Sequence, residues 1–173
     1  MTDGYGTILR DGTKRGLRFE RTLAHPPEKV WRAITESEHL QHWLPCDIVG
    51  ERREGATVEL PFWPEHVAEH DLDPASYQGE IVRWEPPSVF EWTWDVDLLR
   101  WELIPDADGT RLVFTTWFGD PDRDIARGAA AGYHVCLDCL AELLDTGAVA
   151  TTITEADVAP LEAHYGELVA QQG

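Results

Sequence analysis

The feature that most constrains this chain is a single change of period. Up to Phe118 the apolar residues recur at every second position in a series of short segments, and from Asp124 they recur at helical spacing. Leu17, Phe19, Arg21 and Leu23 share one face of a first strand, and Phe90, Trp92 and Trp94 alternate with Glu91, Thr93 and Asp95. Leu99, Trp101 and Leu103 make a further strand, and Leu112, Phe114, Thr116 and Phe118 another, with Asp108-Gly109 as the hairpin turn between them. Cys46 to Arg53, Thr57 to Trp63 and Tyr77 to Trp84 also read as strands, and Pro86-Pro87 breaks the chain after the last of these.

Two short helices fall between the first strand and the rest. Pro26-Pro27 opens one with Val30, Trp31 and Ile34 as its apolar stripe. Ser37 caps a second carrying Leu40, Trp43 and Leu44, which Pro45 stops. After the strands, Ile125, Ala129, Tyr133, Cys136, Leu140 and Leu144 mark a long helix, with Asp122 or Asp124 as its cap and Gly147 as its end. Thr154 and Asp157 then open a tail with the stripe Val158, Leu161, Tyr165 and Leu168. One long helix against one antiparallel sheet is an α+β layer architecture. The expectation is a helix-grip fold: a curved antiparallel sheet of about six to seven strands around a long C-terminal helix, with two short helices after the first strand. Residues 1–16 form a flexible arm, 17–147 the domain, and 148–173 a helical extension packed on the domain or on a second subunit as a homodimer seam.

Several segments resemble a known family. Arg21-Thr22-Leu23-Ala24-His25-Pro26-Pro27-Glu28-Lys29-Val30-Trp31 is similar to the opening of START-like (SRPBCC) domains, and most of all to the family of activator of heat-shock-protein-90 ATPase homologue-like proteins. Leu40-Gln41-His42-Trp43 resembles that family's second helix, and Tyr77-Gln78-Gly79-Glu80-Ile81 with Trp84-Glu85-Pro86-Pro87 its central strands. Gly132-Tyr133-His134 and Cys136-Leu137-Asp138 resemble its last helix, where tryptophan is more usual at the position of Tyr133. The resemblance implies the helix-grip fold and a group that includes binders of lipids, polyketides and hormones and some enzymes; the fold alone assigns no activity.

A sheet curved around a helix encloses a gap, and aromatic residues here face it. Five of the eight tryptophans lie between Trp63 and Trp101. Phe62, Trp92, Trp94, Trp101, Phe114, Phe118 and Tyr133 are the candidate ligand-binding set, against the plainer reading that they fill the core. Arg21, on the inward strand face, is a candidate anchor for a carboxylate or enolate, or else half of a strand-end salt bridge. His66 and His70, four apart beside Glu69, suit a metal on a helical turn, but the segment reads as a polar loop and no metal is assigned. Cys136 and Cys139 sit mid-helix on an apolar stripe, where cysteine is an ordinary small hydrophobe. An acid–base pair drawn from Asp95, His42 or Glu91 has nothing in the sequence to bring it together, so the catalytic residues stay unknown.

Function narrows accordingly. The formal net charge of -18 repels phosphate backbones, which disfavours nucleic acid as a partner. No apolar run approaches a membrane span, and the polar Met1 to Arg15 lacks a signal-peptide core, so a cytoplasmic protein is expected. The leading reading is a binder of a small hydrophobic or aromatic molecule, with no cofactor. A protein-interaction module (chaperone- or regulator-associated) and a cyclase, dehydratase or hydrolase built on the same cavity remain as alternatives.

Overall fold

The computed structural model describes residues 4–172. Seven strands form one antiparallel sheet: β1 (Thr7–Asp11), β2 (Lys14–Leu23), β3 (Thr57–Pro61), β4 (Ser76–Glu85), β5 (Val89–Trp94), β6 (Asp97–Asp106) and β7 (Gly109–Phe118). Their spatial order is β1-β2-β7-β6-β5-β4-β3. Five helices accompany them: α1 (Pro27–Thr35), α2 (Ser37–Leu40), α3 (Pro64–His70), α4 (Ala131–Thr146) and α5 (Glu155–Ala170). A π-helical turn, Ala126–Ala130, leads into α4. This is the α+β helix-grip architecture, an open curved sheet with a long helix near its C-terminus.

The inner face is built by strand alternation. Leu17 and Phe19, Phe90 and Trp92, Leu99, Trp101 and Leu103, and Leu112 and Phe114 are all buried on it. Trp101 stacks on Phe114 with ring centroids 4.0 Å apart, and Phe114 meets Tyr133 of α4 at 4.9 Å. Between Ile81 and Arg83 the β4–β5 register shifts. Such a bulge reverses the alternation, which brings Trp84 to the inner face, 5.0 Å from Trp31 of α1. Gly79 is required where it stands, because a Cβ there would lie 2.0 Å from the Thr93 carbonyl oxygen.

The structure departs from the sequence expectations in several places. The sheet begins at Thr7 rather than Leu17: β1 pairs with β2 inside the segment expected as an arm, of which Met1 to Asp3 lie outside the described residues. Cys46 to Arg53 is not a strand but a loop held by isolated bridges, Val49 to Glu59 of β3 and Cys46 to Phe62 just after it. The β6–β7 turn is centred one residue earlier than expected, on Ala107 and Asp108, with Gly109 paired to Asp106. Ser37 is the first residue of α2 rather than its cap. The polar segment after Trp63 forms α3, nucleated by Pro64 in its first turn.

The long helix has the ends its sequence suggests. Asp124 Oδ1 accepts the Arg127 amide at 3.0 Å, and Gly147, at φ 80°, donates its amide to Leu143 O at 2.8 Å. α5 folds back on the domain. Thr154 N donates to Asp157 Oδ2 at 2.9 Å at its start, and Tyr165, fully buried, docks against the N-terminal segment and α4. Among the described residues no helix is long and apolar enough to cross a membrane.

Candidate functional site

A cleft of about 830 Å³ opens at the end of the sheet where β5 turns into β6. Its walls come from four places. Phe62, Tyr77 and Trp94 supply an aromatic wall from the β3–β5 edge, and His66, Glu69 and His70 of α3 form the rim. Gly128, Ala129, Gly132, Tyr133 and Cys136 line it from the π-turn and α4, and Ile153, Thr154, Glu155 and Val158 from the start of α5. The space exists because α4 begins with small residues. A Cβ built on Gly132 meets nothing within 4 Å, and the π-turn puts Gly128 and Ala129 on the same wall. π-turns inside helices are frequent at functional sites.

The polar end of the cleft is an Asp97–Arg123 ion pair. Asp97 opens β6 opposite Trp94, across a turn in which Asp95 takes the left-handed φ of 54°. Its Oδ1 accepts the Gly119 amide at 3.0 Å, and Arg123 donates to its Oδ2. The Arg123 guanidinium also lies 5.6 Å from the centre of the Phe118 ring, a cation–π contact that fixes its position. Burial pushes the Asp97 carboxyl above its usual range; the Gly119 amide and Arg123 pull the other way, and nearby Asp95 and Asp120 add to the rise. Burial, and then the Asp97 charge, also raise the Tyr133 phenol. Burial pushes the Cys136 thiol up to about 12, so it is a neutral thiol at neutral pH and no nucleophile. The cleft thus offers aromatic faces, one ion pair with a carboxyl of perturbed acidity, and a phenol beside it.

The structure divides the expected site residues. Phe62, Trp94 and Tyr133 line the cleft together. Trp92, Trp101, Phe114 and Phe118 are buried within the core behind it. The Trp92 Nε1 donor and the Thr116 hydroxyl there have no hydrogen-bond partner among the described residues. Arg21 lies away from the cleft. Its side chain is nearly buried, donates to Gly4 O and lies 3.5 Å from Asp138, the strand-end pairing weighed against an anchor role. Of the acid–base candidates only Asp95 reaches the cleft. Asp97 and Arg123 were missed. Asp97 was legible, since extending Leu99, Trp101 and Leu103 one step back along β6 puts it on the inner face; Arg123, in a loop without period, carried no signal.

Comparison with known proteins bears on the fold. The family profile described as Activator of Hsp90 ATPase homolog 1-like protein matches residues 24–145. A conserved protein of unknown function from Enterococcus faecalis superposes with a TM-score of 0.79 at 20% identity, covering 97% of this chain and 92% of that one. CalU16 from Micromonospora echinospora gives 0.69 at 17% identity over 95% and 96% of the two chains. A protein from Mesorhizobium loti gives 0.63 at 26% identity over 76% of this chain and 97% of its own. No curated protein matches the sequence.

Proposed function

Because this chain belongs to the family of Activator of Hsp90 ATPase homolog 1-like proteins, a group built on the helix-grip fold, we propose that it binds a small hydrophobic or aromatic molecule in the cleft between the sheet and α4. The observation that carries this reading is the cleft itself, of about 830 Å³, with Phe62, Tyr77, Trp94 and Tyr133 on its walls and one ion pair at its end. That combination of apolar walls and few polar groups is typical of small-molecule sites. Glu69, Asp95, Asp97 and Glu155 outnumber Arg123 around it, so the ligand is neutral or cationic rather than an anion. A protein-docking surface has less support: of the exposed large apolar residues among those described, Val49, Val82, Val96 and Ile104 lie on separate elements, Tyr5 packs on His164, and Ile153 lines the cleft itself.

One observation favours a second reading, that the same cleft does acid–base chemistry as a cyclase, dehydratase or hydrolase. Asp97 is a cleft carboxyl of raised pKa beside the Tyr133 phenol. If that reading holds, wild type consumes the natural ligand and Asp97→Asn only binds it.

The test of binding uses native mass spectrometry of freshly purified protein together with titration of Nile red, a neutral apolar dye. Wild type is expected to carry an adduct lost on denaturation, or to bind the dye saturably, and to prefer it to an anionic naphthalene sulfonate. Gly132→Phe, whose new ring projects into open space in the cleft, should abolish both signals with an unchanged circular dichroism spectrum. Dye binding undiminished in that variant would place the ligand elsewhere.

A further inference from the structure

Three side chains of α3, His66, Glu69 and His70, gather at the rim of the cleft. His66 and His70 stand one helical turn apart on one face, with ring centroids 4.4 Å apart. Glu69 lies beside them, its Oε2 3.9 Å from His70 Nε2. One donor atom from each lies within 4.8 Å of the other two. Phe62 stacks on His66 at 6.0 Å with the rings 28° from parallel, which steadies that imidazole, while Glu69 and His70 are exposed and free to turn.

We propose that His66, Glu69 and His70 bind one divalent cation of the zinc class, leaving a coordination position open toward the cleft. Two imidazoles and a carboxylate are a donor set that zinc accepts with a fourth position free. Donors held about 2.0–2.1 Å from a tetrahedral zinc are about 3.3 Å from one another. Rotation of Glu69 and His70 closes the remaining distance. Glu65 and Asp71 flank the cluster, and the net charge of -18 raises the local concentration of cations. A second such group among the described residues, Glu36, Glu38 and His39, offers a single imidazole already 3.5 Å from Glu36. The cation site stands whether or not the cleft holds an organic ligand. If it does, the open position accepts an oxygen or nitrogen donor of that ligand.

The experiment is calorimetric titration of ZnCl₂ into untagged, metal-stripped, full-length protein at neutral pH. One saturable site per chain is expected. His66→Ala/His70→Ala should lose it while keeping the wild-type melting midpoint in EDTA, and His39→Ala should retain it. Co²⁺ should give visible d–d bands without the near-ultraviolet charge-transfer band of a thiolate ligand. Absence of saturable binding to wild type, undiminished binding to the double variant, or a thiolate band pointing to Cys136 and Cys139 would each overturn the proposal. The probe is the metal alone, so failure here leaves the organic-ligand reading standing.

Discussion

Among the groups lining the cleft, Asp97 is a carboxyl of raised pKa. Asp97 is buried, the Gly119 amide and Arg123 offset that burial only in part, and Asp95 and Asp120 add to its cost. Its pKa is raised, so between its ordinary value of 3.8 and its folded value the native chain holds a proton that the unfolded chain has released. The stability it contributes is therefore complete at low pH and is lost as pH rises through the folded value. Asp97→Asn keeps a neutral group of the same shape and removes that dependence. The stability of wild type minus that of the variant, from urea midpoints between about pH 3.5 and 7, should fall as pH rises. A difference that grows with pH would mean that Arg123 outweighs burial and that Asp97 is an ordinary ion-paired carboxylate. At this scale the sequence was half legible. Alternation places a side chain on the inner face but does not say whether the helix crossing over it leaves a gap. Trp92 and Trp94 share that face and stack with centroids 5.8 Å apart, yet only Trp94 reaches the cleft. The small residues Gly128 and Gly132 decide which ring is covered, and they act from the other layer.

Helices and strands with a strong period were readable, and those whose form depends on a partner were not. β5, β6 and β7 follow alternation, and α4 its caps. β1 was invisible because Thr7–Asp11 carries little apolar pattern and is held by backbone pairing to β2. The stripe on α5 was readable but its partner was not, and one side chain now identifies it. The Tyr165 hydroxyl accepts the Gly6 amide at 2.9 Å and faces His134 Nδ1 at 2.8 Å. With Nδ1 as acceptor, the His134 proton sits on Nε2, 3.5 Å from Asp138 Oδ2. The buried chain Gly6–Tyr165–His134 thus ties together the N-terminal segment, α5 and α4. Tyr165→Phe keeps the ring and leaves the Gly6 amide and His134 Nδ1 unpaired. The expected loss is about 1–3 kcal/mol by urea denaturation, the usual range for a buried polar group left unsatisfied. Hydrogen exchange should quicken at Gly6 and along α5 before the rest of the fold. Wild-type stability with uniform exchange would show that the hydroxyl carries none of the docking.

Over the whole molecule, the open question from sequence was what covers the tail. α5 places Val158, Leu161, Leu168 and Val169 against the domain's own core, with Tyr165 fully buried, so its apolar face is spent within the chain. The large apolar side chains left exposed among the described residues, Tyr5, Val49, Val82, Val96, Ile104 and Ile153, are spread over several segments, which gives a second copy little to grip. The same C-terminal segment borders the cleft: Ile153 and Thr154 just before α5, and Glu155 and Val158 in its first turn, line one side of it. Fold and site therefore depend on one docking event, and a homodimer seam along α5 competes with it for the same surface. Light scattering of the full chain is expected to give 19.5 kDa. A chain ending at Gly147 should lose about 2–5 kcal/mol, the burial of Tyr165 and its neighbours less the ordering of the helix. It should also lose dye binding, because a wall of the cleft is gone, and associate through the uncovered face. Twice that mass for the full chain, with a stable monomer after truncation, would instead make α5 the dimer seam and require the cleft to be completed by a second copy.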